Sequence, residues 1–195
     1  IYDYHCHLNP KEILDNIQYR NIIQTLLRGF GDSRPNPRVA AILTAEANLG
    51  MRVGDILRLH MSDIMRDGGR YRLNMVEEKT GKQRKFTVPD EVYGFLRQYA
   101  DAHKIPDTGL LFPVSVRQVQ HHLKLVCDFL HYENISTHSF RKWYATSIYN
   151  ANGHDIVLVQ RLLQHSSPMV TRRYIGVSDE QMEQAIARHV NIISA

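Results

Sequence analysis

The stretch Arg70-Tyr71-Arg72-Leu73-Asn74-Met75-Val76-Glu77-Glu78-Lys79-Thr80-Gly81-Lys82-Gln83-Arg84-Lys85-Phe86-Thr87-Val88 decides the fold class. Tyr71, Leu73 and Met75 alternate along its first half, and Phe86 and Val88 along its second. A period of two puts such residues on one face of a strand. Gly68-Gly69 and Thr80-Gly81 are turn signals. The spacing predicts a small antiparallel sheet over 70–88, with a charged hairpin from Glu77 to Lys85.

Outside this stretch the apolar period is helical. Upstream, Asn9, Pro10 and Glu12 form a capping pattern. It predicts a first helix that carries Ile13, Ile17, Ile23, Leu26 and Leu27 inward and ends near Gly31. A connector at Ser33 to Pro37 leads to a helix over 38–48 with Val39, Ile42 and Leu43 inward. Leu49-Gly50 breaks it, and a short helix follows from Val53 to Leu59. Downstream, helices are predicted over 90–101, 116–131, 139–151, 155–164, 168–174 and 178–190, with Ser115/Gln118 and Ser178/Gln181 as caps. The expectation is a mainly α domain over 8–195 with a small antiparallel β-sheet in its first half. Residues 1–7 are expected to be a linker or the tail of a missing N-terminal region.

The bulk numbers fit this. A chain of 195 residues that is 43% hydrophobic can bury a sizeable core. No apolar run approaches the roughly 20 residues of a membrane-spanning helix, and the N-terminus has no basic-then-apolar signal pattern. Cys6 and Cys127 stand in no paired ligand spacing, and a reduced cytoplasmic protein is the simpler expectation. Lys and Arg exceed Asp and Glu by 24 − 20 = 4. That bias is weak evidence for a polyanionic partner, so the functional argument rests on particular residues.

In His138-Ser139-Phe140-Arg141, residues three apart share a helix face and can approach one phosphate together. Arginine offers a planar fork of donors, and histidine moves a proton near neutral pH. A helix-start histidine beside a surface arginine is the plain alternative. Tyr174 closes the short segment after Ser167-Pro168, and His165 lies just before it. Most tyrosines in such a place only pack. A phenol with a pKa near 10 becomes a nucleophile only with cationic neighbours or a base. Arg52 stands three residues before Asp55, whose carboxylate can hold the guanidinium in place or form an ordinary surface pair. Lys79, Lys82, Arg84 and Lys85 make the hairpin basic, either as a solvated rim or as a group that reaches phosphates.

Together these residues resemble the catalytic domain of the tyrosine recombinase (phage-type integrase) family. The resemblance rests on Gly50-Met51-Arg52-Val53-Gly54-Asp55 with Leu59, on Lys79-Thr80-Gly81, on His138-Ser139-Phe140-Arg141 with Ala145-Thr146, on Leu163-Gln164-His165, and on Tyr174 nine residues later. Five fragments in the family's order cover roughly 8–190. Two departures are minor: Gln164 stands where glycine is commonest, and Asp55 is the less common of two acids.

The resemblance implies site-specific cleavage and rejoining of double-stranded DNA through a 3′-phosphotyrosine link, with no cofactor, metal or ATP. It assigns catalysis to Arg52, Lys79, His138, Arg141, His165 and Tyr174, with Asp55 in support. Lys82, Arg84, Lys85, Lys142, Arg172 and Arg173 are candidate DNA contacts. It implies a monomer in solution and a homotetramer on synapsed DNA, accessory DNA-bending proteins as further partners, and a cytoplasmic, nucleoid-associated location. Relaxation by a type IB topoisomerase, DNA binding without chemistry, and a metal-dependent nuclease stay open as alternatives. His5-Cys6-His7 is the nearest approach to a metal set.

Overall fold

The computed structural model describes residues 14–165, 170, 171 and 175. Helix α1 (Asn16–Arg28) begins at Asp15, whose carboxylate accepts from the Ile17 and Gln18 amides while the Gln18 side chain closes the box. The predicted start at Asn9 lies outside the described residues, but a continuous helix through Asp15 is ruled out by its extended backbone. The inward face also shifts. Ile22 and Leu26 are buried, whereas Ile17 and Leu27 are 70% and 50% exposed. Tyr19 supplies the missing apolar surface by stacking on Trp143 at 5.0 Å.

Helix α2 (Pro37–Leu49) takes its cap from Asn36 and its first-turn proline from Pro37. It is buried nearly all round, with Val39, Ile42, Leu43, Ala45 and Leu49 at most 3% exposed. A helix apolar on every side has to sit at the centre of the packing. Full burial of each Ile or Leu contributes about 1.5–3 kcal/mol. Helices α3 (Val53–Leu57), α4 (Asp90–Ala102), α5 (Val116–Phe129), α6 (Thr137–Ala151) and α7 (Ile156–Leu163) follow in order. The Ser115/Gln118 capping box opens α5. Helix α6 starts at Thr137, earlier than expected, which places His138 inside its first turn. The predicted helix over 178–190 and most of 168–174 lie outside the described residues, as do residues 1–13.

The sheet has three strands, β1 (Ile64–Asp67), β2 (Arg70–Val76) and β3 (Gln83–Val88), antiparallel in the order β1-β2-β3. Leu73 faces Phe86 and Met75 faces Arg84 across β2 and β3. Strand β1 is additional to the sequence expectation. Only Ile64 of its four residues is buried, so it lacks the alternation that reveals a strand. Gly68 and Gly69, both at positive φ, make the tight turn that joins it to β2. A large core cluster unites α1–α6 with the sheet. A second, smaller cluster contains Ala145, Val159, Leu163 and Ile175.

Candidate active site

The site is assembled on the sharp turn between α2 and α3. Gly50 ends α2 in the left-handed region, φ 58° and ψ 27°. A Cβ at this position would lie 2.3 Å from Cδ1 of Tyr144, so only glycine admits both the turn and the ring. The turn delivers Arg52 as the extended residue capping α3. Its Nη1 donates to Oε2 of Glu77 at 2.7 Å, while Asp55 Oδ2 is 3.9 Å away.

Glu77, at the base of the hairpin, is therefore the main partner of Arg52. Asp55 does a different job: its Oδ1 accepts from the Glu78 amide at 2.9 Å and ties the hairpin to α3. The other Glu77 oxygen accepts from Nη1 of Arg84 at 2.9 Å, and Thr80 Oγ1 donates to Oε2. Burial alone would raise the pKa of Glu77, but the hydrogen bonds from Arg52 and Thr80 and the charges of Arg52 and Arg84 lower it.

Arg84 corrects an expectation. It is 2% exposed, and its Nη2 donates to the main-chain oxygens of Leu49 and Gly50 at 3.4 and 3.2 Å. It braces the α2–α3 turn from inside and cannot reach a DNA backbone. Lys142 departs similarly. It is 8% exposed and its charge acts on His138, so it belongs to the charge of the cleft and not to its outer rim. Lys82 and Lys85 are exposed as expected.

Arg141 projects from α6 and is 3% exposed. Nη1 donates to Gly50 O at 2.8 Å and Nη2 to Leu163 O at 3.0 Å. One guanidinium thus joins the turn bearing Arg52 to the end of α7, two residues before His165. His138, one turn before Arg141 on α6, stays exposed. Partial desolvation and the charges of Arg141, Lys142, Arg52 and Lys79 lower its pKa. His165 is half-buried, with Nδ1 3.1 Å from Oγ1 of Thr171. Its main chain is fixed by Gln160, which donates to His165 O at 3.3 Å. Burial first, then the charges of Arg141, Arg52 and Arg84, push the ring down to about 4 against the pull of Glu77.

Arg52, His138, Arg141 and His165 are therefore brought into one electrostatic neighbourhood, with Lys79 on the hairpin turn acting on His138. Tyr174, Arg172 and Arg173 lie outside the described residues. A groove of ≈ 480 Å³ opens beside His165, lined by Lys82 and Gln83 of the hairpin and by Gln160, Arg161 and Gln164 at α7.

Two acids near the arginines are missing from the sequence expectation. Glu77 is one. Glu46 on α2 is the other: it is 0% exposed, and neither carboxyl oxygen has a hydrogen-bond partner of good geometry among the described residues. Burial drives its pKa well above the ordinary carboxylate range, more strongly than Arg141 and the Val53 amide lower it. Among the described residues no group of three or more His, Cys, Asp or Glu side chains is placed to hold a metal ion, and no helix is long and apolar enough to cross a membrane.

Comparison with known proteins bears on the family and the fold. Residues 12–181 match the model of the phage integrase family. A probable integrase/recombinase, YoeC of Bacillus subtilis (strain 168), is 30% identical over 145 residues, which is 71% of this chain and 77% of that protein. Tyrosine recombinase XerC of Caldanaerobacter subterraneus subsp. tengcongensis is 28% identical over 163 residues, or 76% of this chain, but the match spans only 44% of XerC. The fold is similar to the crystal structure of XerH site-specific recombinase bound to its difH substrate, with a TM-score of 0.68 at 19% identity over 90% of this chain and 54% of that one. The match over most of its length and the fold it shares establish that the chain belongs to the phage integrase family, the tyrosine recombinases, and has the fold of their catalytic domain.

Proposed function

We propose that this chain breaks and rejoins double-stranded DNA at a specific site by phosphoryl transfer to Tyr174. The observation that carries the reading is the convergence of Arg52 and Arg141, held by Glu77 and by main-chain carbonyls, on a neighbourhood shared with two histidines of lowered pKa. Preorganised donors around a phosphate favour the transition state, in which the nonbridging oxygens gain negative charge. Arg52, whose side chain is 25% exposed, is placed to meet those oxygens from the open side. Arg141 lies deeper and adds charge and orientation.

A lowered pKa leaves His138 a free base at neutral pH, able to take the phenol proton as the Tyr174 oxygen attacks phosphorus. The bond to the 5′ oxygen breaks as the new phosphotyrosine bond forms, and Lys79 returns a proton to that oxygen. His165, uncharged in the free protein, hydrogen bonds to the phosphate, whose negative charge draws a proton onto the ring. The covalent link conserves one phosphoester bond for another, so a 5′-hydroxyl can reverse the step without ATP. Thr171 against His165 and Ile175 in the second cluster flank the segment carrying Tyr174. Lys82, Lys85, Arg172 and Arg173 serve as phosphate contacts. The protein works in the cytoplasm, as a monomer when free and a tetramer on paired sites.

The test uses a pool of nicked duplexes randomised around the nick, in which the short strand beyond the cut diffuses away. The wild-type chain yields an adduct that survives denaturation, in EDTA as in its absence, and sequencing of the captured strands defines the site. Tyr174→Phe yields none. Equal adduct from both proteins contradicts the nucleophile assignment, and loss of adduct in EDTA contradicts the metal-free reaction.

A further inference from the structure

We propose that Gln164 is a positioning residue that straps the lysine-bearing hairpin to the end of α7 and so sets how well Lys79 protonates the departing 5′ oxygen. The inference rests on the role given to Lys79 above.

Beyond the Arg52–Glu77 and Arg84 contacts at its base, the hairpin turn is held at one further point on each leg. At its first leg the Glu78 amide donates to Asp55 of α3 at 2.9 Å. At its second leg the Gln83 main-chain oxygen accepts from Nε2 of Gln164 at 3.1 Å. Lys79 hangs between the two. Glu77 N donates to Lys82 O at 3.0 Å and Gly81 N to Glu77 O at 2.9 Å, so the turn moves as one closed loop. Whatever holds Gln83 therefore constrains Lys79.

The backbone of Gln164 points the same way. It adopts φ 54° and ψ 36°, a left-handed helix end that suits glycine. A side chain kept there despite the strain is a sign of function. Its Oε1 is buried and accepts no hydrogen bond among the described residues, so the amide is held by its donor end alone. Gln164 also sits between Leu163, whose oxygen holds Arg141, and His165. One residue thus links the arginine, the histidine and the hairpin.

The test compares adduct formation by the full chain on two nicked duplexes of the captured sequence. One carries the natural bridging oxygen. The other carries a 5′-bridging sulfur, which departs as a thiolate and needs no proton. Gln164→Gly relieves the backbone strain, so its melting temperature equals or exceeds that of wild type and slow cleavage cannot be ascribed to unfolding. With oxygen it is about five- to tenfold slower than wild type, the worth of one net hydrogen bond. With sulfur it is within about twofold of wild type, because the proton Lys79 supplies is no longer needed.

Gln164→Glu, nearly the same shape but with an acceptor facing the Gln83 carbonyl, follows the same pattern. Equal slowing on both substrates, or none on either, overturns the strap. Lys79→Ala is the control for the underlying reading. If it slows both substrates equally, the general-acid role of Lys79 fails and the strap falls with it.

Discussion

Glu77 is the acid on which the site's geometry is strung, and Glu77→Gln measures how much. The carboxylate is 1% exposed and lies 2.7 Å from Arg52 and 2.9 Å from Arg84. The two halves of this bridge differ. The side chain of Arg52 is 25% exposed, so water replaces part of what it loses, and that half contributes about 0–1 kcal/mol. Arg84 is 2% exposed and would keep only two carbonyl partners. Removing the partner of a buried charge destabilises by about 3–5 kcal/mol.

For a domain of this length that is a fall in melting temperature of about 6–20 °C. Urea and thermal unfolding followed by circular dichroism read it directly. Glu77→Gln with Arg84→Met leaves no buried uncompensated cation and recovers at least about half of the loss. The reasoning is refuted if Glu77→Gln costs under about 1 kcal/mol, the range of a solvated surface pair. It is equally refuted if the double variant is no more stable than the single one. The sign with pH follows from the lowered pKa of Glu77. Its contribution is full above the ordinary carboxylate range and is lost as pH falls through the folded-state value.

Gly50→Ala sets a methyl against the Tyr144 ring and strains a left-handed residue; it is expected to cost at least about 2 kcal/mol in urea unfolding and to slow adduct formation, because Gly50 O anchors Arg84 and Arg141. Wild-type stability there would show that the turn and the Tyr144 ring yield more readily than this packing implies, and would contradict the prediction. Glu46, with a folded-state pKa above its unfolded value, contributes stability below about pH 4.3 that declines as pH rises toward the folded value. Subtracting the stability–pH curve of Glu46→Gln from that of wild type should therefore leave a downward slope with rising pH, and a flat difference removes the buried acid from the account. His165, held near 4 in the free protein, gains a proton when an anionic phosphate enters, so duplex binding strengthens as pH falls from 7 toward 5. Calorimetry in buffers of different ionisation enthalpy should register proton uptake on binding, less in His165→Gln, and release of protons would contradict it.

Most of the fold was legible from periodicity and caps. The alternation of Leu73 with Met75 and of Phe86 with Val88 located β2 and β3, and Ser115/Gln118 marked a true helix start, whereas Asn36 and Pro37, read as connector, cap and open α2. Strand β1 was hidden because an edge strand with one buried residue has no second apolar position to set the period. In α1, Ile17 and Leu27 match a helical spacing yet face water, because Tyr19 and Trp143 decide which side turns inward.

The site follows the same rule. Arg52, His138, Arg141 and His165 were readable as fragments of one pattern, but their partners were not. Glu77 and Arg84 are charged, and in sequence they read only as members of a charged hairpin. Yet Glu77 continues the face of Leu73 and Met75, and Arg84 that of Phe86 and Val88. Carrying the period of two through the charges would have revealed a buried pair. Asp55 was placed next to Arg52 by sequence spacing and does lie 3.9 Å from it, but its hydrogen bond goes to the Glu78 amide. Nothing local signals Glu46, whose environment is made by α3 and α6.

If one phenol oxygen in this chain takes the phosphate, the covalent adduct itself records which. Trimming captured DNA with nuclease and digesting the protein with trypsin releases the peptide 174–188, because Arg173 precedes the tyrosine and Arg188 ends the fragment. Fragment mass spectra are expected to place a nucleotide remnant on Tyr174, with a 5′-hydroxyl on the released strand. A remnant on any other residue, or a 5′-phosphate on the released strand, would contradict that assignment.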